Sequence, residues 1–379
     1  MSEIKIDANA SKWTTELLHW YDLNKRDLPW RQTKDPYCIW VSEIMSQQTR
    51  IEAMKPYYEN WMMQFPTKEA LATADEDTVV KAWQGLGYYS RARNLRLGVQ
   101  EVMTKYGGEI PRTRKEVESL KGVGAYTAGA ILSVAFNQRE AAIDGNVLRV
   151  YARLYAIQED IMRTAGKKAI AALVEATMPY DRPGDFNQAL MDFGARICIP
   201  KAPRCEGCPL RQWCKADALG IAAELPVRIV KKAIPIISVI TGCIQNDEGA
   251  YLLHRRPAKG LLHSMWEFPN VEIPRHALVQ DKKELPLIGV APLVSHWQEQ
   301  GAVIKWQEAC ITTLRHVSSH RCWDMEAYVG RWETTTDTVS VALARELVNN
   351  PEQWRWVKPA DFAELPWAGP HGKLTVFCK

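Results

Sequence analysis

Four cysteines that lie close together are the first candidates for chemistry. Cys198, Cys205, Cys208 and Cys214 are separated by six, two and five residues, in a chain of 379 residues with nine cysteines in all. Four thiolates at this spacing can enclose one tetrahedral zinc ion or an iron–sulfur cluster. The spacing is compatible with either the zinc ion or the cluster. Neither would have a free ligand position, so the bound metal would stabilise a loop rather than take part in catalysis. The other cysteines are scattered singly, which argues against a disulfide scaffold.

Two glycines and an aspartate form a second candidate site. Gly122 and Gly124 stand in L-K-G-V-G-A-Y-T-A, directly before an apolar helical stretch. Glycines permit close approach of another backbone, and the amides at a helix start can bind phosphate. Asp144, in A-I-D-G-N-V, follows Tyr126 by eighteen residues and precedes another apolar helix. Taken alone, Asp144 indicates a helix N-cap more readily than a catalytic carboxylate.

The elements that position these residues fall into two regions, as expected for a chain of this length. Apolar residues at spacings of three and four predict an all-α region over 1–217, with helix breaks or entries at Pro29, Pro36, Pro66 and Pro111. Residues 218–234 have the composition of a linker. Residues 235–379 predict a smaller α+β domain. Its expected elements are a hairpin over 236–254, strands at 302–306, 310–314 and 325–332, and a helix over 338–348.

Composition narrows the class of protein. Hydrophobic residues make up 46% and charged residues 24%, which is typical of a folded globular chain. No apolar run reaches the roughly 20 residues of a membrane span, and we expect a cytosolic location. The net charge of +4 is small. It permits phosphate binding without requiring it.

Taken together, these motifs resemble those of the adenine DNA glycosylase (MutY) family in the helix-hairpin-helix DNA glycosylase superfamily. The resemblance is carried by L-K-G-V-G-x-Y-T-A, I-D-G-N-V and the cysteine pattern, and by L-P-W-R, W-V-S-E-I-M, Q-Q-T, G-L-G-Y-Y-S-R-A-R, F-N-Q-A-L and W-E-F-P-N. It spans nearly the whole chain. It implies a helix-hairpin-helix glycosylase domain with an iron–sulfur loop over 198–214, followed by a Nudix-like domain. The cluster of this family is four-iron four-sulfur, which favours iron over zinc.

The resemblance also implies an activity. Members of this family remove adenine mispaired with 8-oxoguanine or guanine in duplex DNA and leave an abasic site. Glu43 would protonate adenine N7, and Asp144 would stabilise the oxocarbenium ion, a division of labour between two carboxylates known from glycoside hydrolysis. Desolvation in an apolar helix would raise the pKa of Glu43. Tyr126 and Asn146 would place Asp144 and the attacking water.

Further residues match binding positions of the family. The adenine pocket would be formed by Arg26, Trp30, Arg31 and Gln188. Gln48 and Tyr88 would enter the base stack beside the mispair, while Gly122 and Gly124 would contact the DNA backbone. Arg91 and Arg93 would either contact phosphate or face water.

The second domain resembles the 8-oxoguanine recognition domain of the family. No acidic R-E-U-x-E-E run follows Trp266, so we expect no pyrophosphatase activity. Members of the family read the lesion with a Phe-Ser-His turn, whereas this chain has Ser318, Ser319 and His320. Ser319 and His320 keep the polar pair, and the missing phenylalanine leaves the opposite-base preference open.

Three functions are compatible with these residues. The first is a monofunctional adenine glycosylase, expected to act as a monomer. The second is a bifunctional glycosylase and lyase of the endonuclease III kind, which carries a nucleophilic lysine where this chain has Tyr126. The third is a metal-braced DNA-binding protein without catalysis. Glu43 and Asp144 count against the third, because binding alone requires neither.

Overall fold

The computed structural model describes residues 10–228, 234–278, 285–318, 321–333, 350 and 352–378. Of the described residues, 10–86 and 90–228 form the first of two compact units, and 87–89 group with the residues from 234 onward in the second. Within the described residues, no helix combines the length and apolar character that crossing a bilayer requires.

The first unit is helical. Its α-helices, in chain order, are α1 Ala10–Asn24, α2 Pro36–Ser46, α3 Ile51–Gln64, α4 Lys68–Thr73, α5 Glu76–Ala82, α6 Ser90–Lys105, α7 Arg114–Ser119, α8 Ala125–Phe136, α9 Gly145–Leu154, α10 Thr164–Thr177, α11 Pro183–Arg196 and α12 Lys215–Ala218. Two 3-10 turns lie at Pro29–Arg31 and Arg211–Trp213. Residues 10–228 contain no strand, so the all-α prediction is confirmed.

Prolines begin or separate the helices where the sequence predicts. Pro36 is the first residue of α2 and Pro29 the first residue of a 3-10 turn, where the missing amide loses no helical hydrogen bond. Pro66 lies between α3 and α4, and Pro111 lies between α6 and α7. Pro56 lies inside α3, which the sequence pattern did not indicate.

The two helices that follow the candidate motifs are packed in different ways. Val147, Val150, Tyr151 and Leu154 of α9 are buried at spacings of three and four, so one face of this helix packs into the core. Helix α8 is buried over every residue from Thr127 to Val134. Asp144 and Tyr126, at the starts of these helices, are therefore placed by rigid elements.

The helix-hairpin-helix motif consists of α7, the turn at Leu120–Gly124 and α8. Gly122 adopts φ +78°, and a Cβ atom there would lie 2.6 Å from the Cβ of Asn94, so the turn requires glycine. A Cβ at Gly124 would meet no heavy atom within 4 Å. The backbone at Gly124 therefore faces open space at the start of α8.

Much of the stretch whose composition is typical of a linker is packed. Ala222 and Leu225 are buried in a small cluster with Ala216. The amide of Ile161 donates to the carbonyl oxygen of Val227 at 3.2 Å. Residues 218–228 therefore belong to the helical unit rather than to an open linker.

The second unit is built on an eight-stranded mixed sheet and one α-helix among its described residues. The elements are β1 Pro235–Gln245, β2 Tyr251–Arg255, β3 Trp266–Glu267, β4 Asn270–Leu278, α13 Ala291–Glu299, β5 Ile304–Trp306, β6 Thr312–Val317, β7 Cys322–Trp332 and β8 Trp354–Val357, with 3-10 segments at Pro359–Glu364 and Gly369–Phe377. The main strand order is β3-β2-β1-β7-β5, with β1 and β7 parallel. The α+β fold class is confirmed.

The sequence pattern identifies some of these elements and misses others. The hairpin of β1 and β2 and the strands β5, β6 and β7 lie at the predicted places, with ends shifted by up to three residues. Strand β4 was missed because it contains Pro274, which argues against a central strand. Among the described strands β4 pairs only with β1. The predicted helix over 338–348 lies outside the described residues.

Strands β6 and β7 flank, along the chain, the residues predicted to read the lesion. The antiparallel register runs to the pair Val317 and Cys322. The amide of Ser318 donates to the carbonyl oxygen of Arg321 at 2.9 Å and closes the hairpin. Ser319 and His320 lie outside the described residues.

Candidate active site

A cleft of about 500 Å³ in the helical unit brings together nine of the predicted site residues. It lies within the volume range of pockets that hold small ligands. The predicted residues that line it are Arg26, Trp30, Arg31, Glu43, Gln48, Tyr126, Asp144, Asn146 and Gln188. Tyr88, Gly122, Gly124 and the four cysteines do not line it.

Glu43 lies on α2 with its carboxyl group in the cleft. The hydroxyl of Tyr126 donates to Oε2 of Glu43 at 2.6 Å. Burial raises the pKa of Glu43 to about 7, and the nearby Asp144 adds to this, while the Tyr126 hydrogen bond and the Arg31 cation oppose it. Glu43 can therefore carry a proton near neutral pH, as a general acid requires.

Asp144 serves as the N-cap of α9 and also lines the cleft. Its Oδ1 accepts from the amides of Asn146 and Val147, both at 2.8 Å, and its Oδ2 accepts from Nδ2 of Asn146 at 2.6 Å. Burial raises the pKa of Asp144, and these three hydrogen bonds oppose that effect because they favour the carboxylate. The capping and the cleft-lining interpretations of Asp144 are therefore compatible.

A chain of hydrogen bonds links Asp144 to the cysteine-rich segment. Arg149 of α9 donates through Nη2 to Oδ1 of Asn146 at 2.8 Å and through Nε to the carbonyl oxygen of Cys198 at 2.8 Å. Asn146 in turn donates to Asp144. Sequence reasoning missed Arg149, although a basic residue on the buried face of α9 was a signal that the side chain has an internal partner.

Tyr126 lies at the start of α8 and contacts two residues of the cleft. Besides Glu43, its hydroxyl lies 3.5 Å from the sulfur of Met191. Burial, together with the negative charges of Glu43 and Asp144, raises the pKa of Tyr126 well above its usual value. Tyr126 therefore stays a neutral hydrogen-bond donor to Glu43.

Arg26 and Arg31 converge on a buried aspartate that sequence reasoning missed. Asp192 of α11 has no exposed surface, and its Oδ2 accepts from Nη1 of Arg31 at 2.7 Å. Arg26 donates to Oδ1 of Asp192 through Nε at 3.0 Å and also through Nη2. Burial alone would raise the pKa of Asp192, yet the two arginines hold it below the usual value. The guanidinium groups are thus fixed in orientation at the cleft wall.

Trp30 and Gln188 complete this wall. Trp30 is 8% exposed and packs edge-on against Tyr58, with ring centroids 5.0 Å apart. Gln188 of α11 donates to the carbonyl oxygen of Gly184 at 3.4 Å. Both side chains are held by the fold and border the cleft.

Gln48 and Tyr88 share an unusual backbone conformation. Their φ angles are +60° and +49°, in the left-handed region that side chains rarely adopt. Gln48 is exposed at the cleft, and the Tyr88 side chain is 45% exposed. Strained backbone of this kind is enriched at functional sites.

Arg91 and Arg93 both have partners within the helical unit. Arg93 is buried and pairs with Oε1 of Glu76 at 2.7 Å. Arg91 donates to backbone carbonyl groups of the segment that ends α2. Both side chains therefore form hydrogen bonds that stabilise the helical unit.

The four cysteines line one cavity beneath α9 and α11. Nη1 of Arg153, a side chain only 1% exposed, donates to the sulfur of Cys198 at 3.4 Å. Within the described ranges, no three side chains of ligand type are arranged around one metal ion. The segment therefore brings the four cysteines to one cavity.

The fold and this site define a helix-hairpin-helix base-excision glycosylase scaffold with an appended Nudix-like domain. Residues 41–176 match the family model of the HhH-GPD superfamily base excision DNA repair proteins, and residues 240–375 match the NUDIX domain. A solved thermostable thymine-DNA glycosylase is 32% identical, with a TM-score of 0.50, over 55% of this chain and 95% of that chain.

Comparisons along the sequence define the family. The adenine DNA glycosylase of Schizosaccharomyces pombe is 34% identical over 94% of this chain and 87% of its own length. That of Rattus norvegicus is 36% identical over 70% of this chain and 61% of its own length. This chain therefore belongs to the adenine DNA glycosylase family. It spans about three fifths of the length of the mammalian relatives it matches.

Proposed function

We propose that this protein is a monofunctional DNA glycosylase that hydrolyses the N-glycosidic bond of adenine mispaired with 8-oxoguanine or guanine. The observation that carries the proposal is the pair of carboxyl groups in one cleft. Glu43 has a pKa of about 7, while Asp144 accepts three hydrogen bonds that favour its charged form. Two carboxyl groups in different environments can take the parts of proton donor and stabilising anion.

Glu43 acts as the general acid. Its proton goes to N7 of the adenine, which makes the base a better leaving group. The hydrogen bond from Tyr126 to Oε2 holds the carboxyl group of Glu43, which lines the cleft. Hydrogen bonding and burial together give a proton donor that is placed before the substrate arrives.

Asp144 stabilises the positive charge that develops on the deoxyribose as the bond breaks. Asn146 holds one carboxylate oxygen, and two backbone amides of α9 hold the other. A preorganised anion needs no rearrangement at the moment of reaction, which is the usual source of electrostatic stabilisation. Asn146 and Tyr126 also orient the attacking water.

The walls of the cleft suit an extruded purine. Trp30 offers an aromatic surface, and Arg26, Arg31 and Gln188 offer hydrogen-bond donors. Extrusion of a base costs a few kcal/mol and needs side chains that replace it in the stack. Gln48 and Tyr88, both exposed, supply these side chains.

The four cysteines are proposed to bind a four-iron four-sulfur cluster. The donor set fits, because four thiols line one cavity. The cluster, when bound, supplies a structural brace for residues 198–214. Arg153 fixes this segment through Cys198 and the carbonyl oxygens of Ile199 and Pro200.

Purified protein is therefore expected to absorb broadly in the visible region, because iron–thiolate bonding is coloured and d¹⁰ zinc is not. Cys208→Ser should lose this absorbance and unfold at a lower temperature. Cys310→Ser is the matched control, since Cys310 lies in the second unit, where its thiol donates to the carbonyl oxygen of Thr312. A colourless wild-type protein with one zinc per chain would overturn the iron assignment.

Tyr126 supports a hydrolase rather than a lyase. It occupies the position of the lysine in the endonuclease III branch and carries no amine that could form a Schiff base. Its hydroxyl donates to Glu43, and burial raises its pKa, so it is no nucleophile near neutral pH.

Incubation with duplexes that carry adenine opposite 8-oxoguanine, guanine or cytosine tests the proposal. We expect adenine release from the first two, with strand breaks only after alkali. Borohydride should trap no covalent adduct. Release from none of the duplexes would refute the glycosylase, and a trapped adduct in good yield would favour the lyase.

Ser319 and His320 are proposed to read the 8-oxoguanine. They follow β6 along the chain, and the described residues on either side, Ser318 and Arg321, are joined by a backbone hydrogen bond. The family turn has a phenylalanine at position 318, and a serine there removes a ring that would stack or wedge. The comparison of 8-oxoguanine with guanine in the same experiment measures the effect.

A further inference from the structure

The carbonyl groups at the end of α2 require hydrogen-bond donors from outside the helix. The helix ends at Ser46, so the carbonyl groups of its last turn lack helical partners and carry partial negative charge. The chain then turns at once, since Gln48 has φ +60°. A left-handed glutamine costs free energy and persists only where the surroundings hold it.

The turn that precedes α6 is also tightly specified. Gly85 and Gly87 adopt φ +103° and +68°, and Tyr88 follows with φ +49°. A Cβ atom on Gly85 would lie 2.2 Å from the Tyr57 hydroxyl oxygen, so the turn admits only glycine there. The amide of Leu86 donates to the carbonyl oxygen of Trp83 at 3.1 Å.

One guanidinium group binds both of these segments. Nη1 of Arg91 donates to the carbonyl oxygens of Ile44 at 2.9 Å and Met45 at 3.2 Å, and also to that of Gln47. Nη2 of Arg91 donates to the carbonyl oxygen of Leu86 at 3.1 Å. The four acceptors belong to the residues just before Gln48 and just before Tyr88.

The environment of Arg91 keeps this cation in place. Its guanidinium carbon lies 5.2 Å from the ring centroid of Trp83, a side chain with no exposed surface. A cation above an indole ring is attracted by the ring, more strongly where water is excluded. The planar guanidinium group has several N–H donors and can bind four carbonyl oxygens in two segments. A lysine ammonium cannot replace it in this role.

We propose that Arg91 is a positioning residue for base extrusion: it ties the end of α2 to the turn before α6 and so fixes Gln48 and Tyr88 in the conformations that enter the duplex. This inference rests on the proposed function. Arg91 touches neither the base nor the reacting bond, so its loss should affect extrusion of the adenine rather than proton transfer by Glu43.

Fluorescence of 2-aminopurine tests the inference without catalysis. The probe replaces the target adenine opposite 8-oxoguanine, and its fluorescence rises when it leaves the stack. The proteins carry Glu43→Gln so that no base is released, and they are added at saturating concentration. With Arg91→Ala in addition, we expect about a tenfold smaller extruded fraction, the size expected for losing charged hydrogen bonds.

Arg96→Ala in the same Glu43→Gln background is the matched control. Arg96 lies on the same helix and donates to the carbonyl oxygen of Ala74, just beyond the end of α4, away from the cleft. Its fluorescence should equal that of Glu43→Gln alone. Arg91→Lys, which keeps the charge, should fold with an unchanged melting temperature and restore only part of the fluorescence signal. This variant tests the inference even if Arg91→Ala fails to fold.

The outcomes separate the two proposals. If Glu43→Gln alone gives no fluorescence rise at saturation, base extrusion fails and the proposed function fails with it. If Glu43→Gln alone extrudes the base and both Arg91 variants extrude it equally well, the positioning role is refuted. If the fluorescence falls in step with the melting temperature, and equally so in the Arg91 and Arg96 variants, then Arg91 only stabilises the fold.

Discussion

Glu43→Gln is expected to lower single-turnover adenine release by about 10³-fold or more, the upper part of the range for removing a general acid. Glutamine keeps the shape of the side chain, and its carbonyl oxygen can still accept the hydrogen bond from Tyr126. It carries no acidic proton for the leaving base. The measurement is release from a duplex with adenine opposite 8-oxoguanine, with protein in excess over DNA.

The matched control for this variant is Glu69→Gln. Glu69 lies at the start of α4, pairs with Lys68 and does not line the cleft. It should keep the activity of the parent. Full activity in Glu43→Gln would show that another group donates the proton.

The pH profile follows from the same residue. Because burial raises the pKa of Glu43 to about 7, the rate should decline as pH rises through this value and the acid loses its proton. Glu43→Gln should lack this descending limb in whatever activity remains. A rate that holds constant well above pH 7 would contradict the acid role.

Glu43→Gln should change stability in the opposite direction to activity. In the unfolded chain Glu43 ionises near pH 4.5, so between that pH and about 7 the folded protein holds a proton that the unfolded chain has released. The raised pKa therefore costs stability as pH rises through this window, by up to about 3 kcal/mol above it. Glu43→Gln should melt at a higher temperature than the parent at pH 8 and show little gain at pH 4.

The sequence predicts the residues of the site better than their partners. Glu43, Tyr126, Asp144 and Asn146 lie in short motifs whose types and order indicate the chemistry, and all four line one cleft. Asp192 gave no such signal, because its role depends on two arginines more than 160 positions away along the chain. Pairing of charges across a fold cannot be read from local spacing.

Arg91 illustrates the same limit at the level of the backbone. Its position at the start of α6 suggests a surface charge, yet its partners are carbonyl groups at the end of α2. Which helix ends meet is set by tertiary packing, and no local pattern in the sequence indicates it. The fold class was easier to predict, because periodicity and prolines are local properties of the chain.

Asp144→Asn is expected to lower single-turnover adenine release by about 10² to 10³-fold, because a neutral amide cannot stabilise the cationic sugar. The variant should still fold. Both backbone amides of α9 donate to Oδ1, which an asparagine carbonyl oxygen can replace, and asparagine is as good an N-cap as aspartate. Only the hydrogen bond from Nδ2 of Asn146 to Oδ2 is lost.

Asp75→Asn separates the loss of a charge from the loss of a cap. Asp75 is the N-cap of α5, where its Oδ1 accepts from the amide of Thr78 at 2.8 Å, and it does not line the cleft. Both variants should melt within a few degrees of the parent, whereas only Asp144→Asn should lose activity.

In the parent, the activity should also fall at acidic pH as Asp144 takes up a proton, at a pH above that of an exposed aspartate because burial raises its pKa. Equal activity of Asp144→Asn and the parent would limit Asp144 to capping α9, and the charge on the sugar would then need another source of stabilisation.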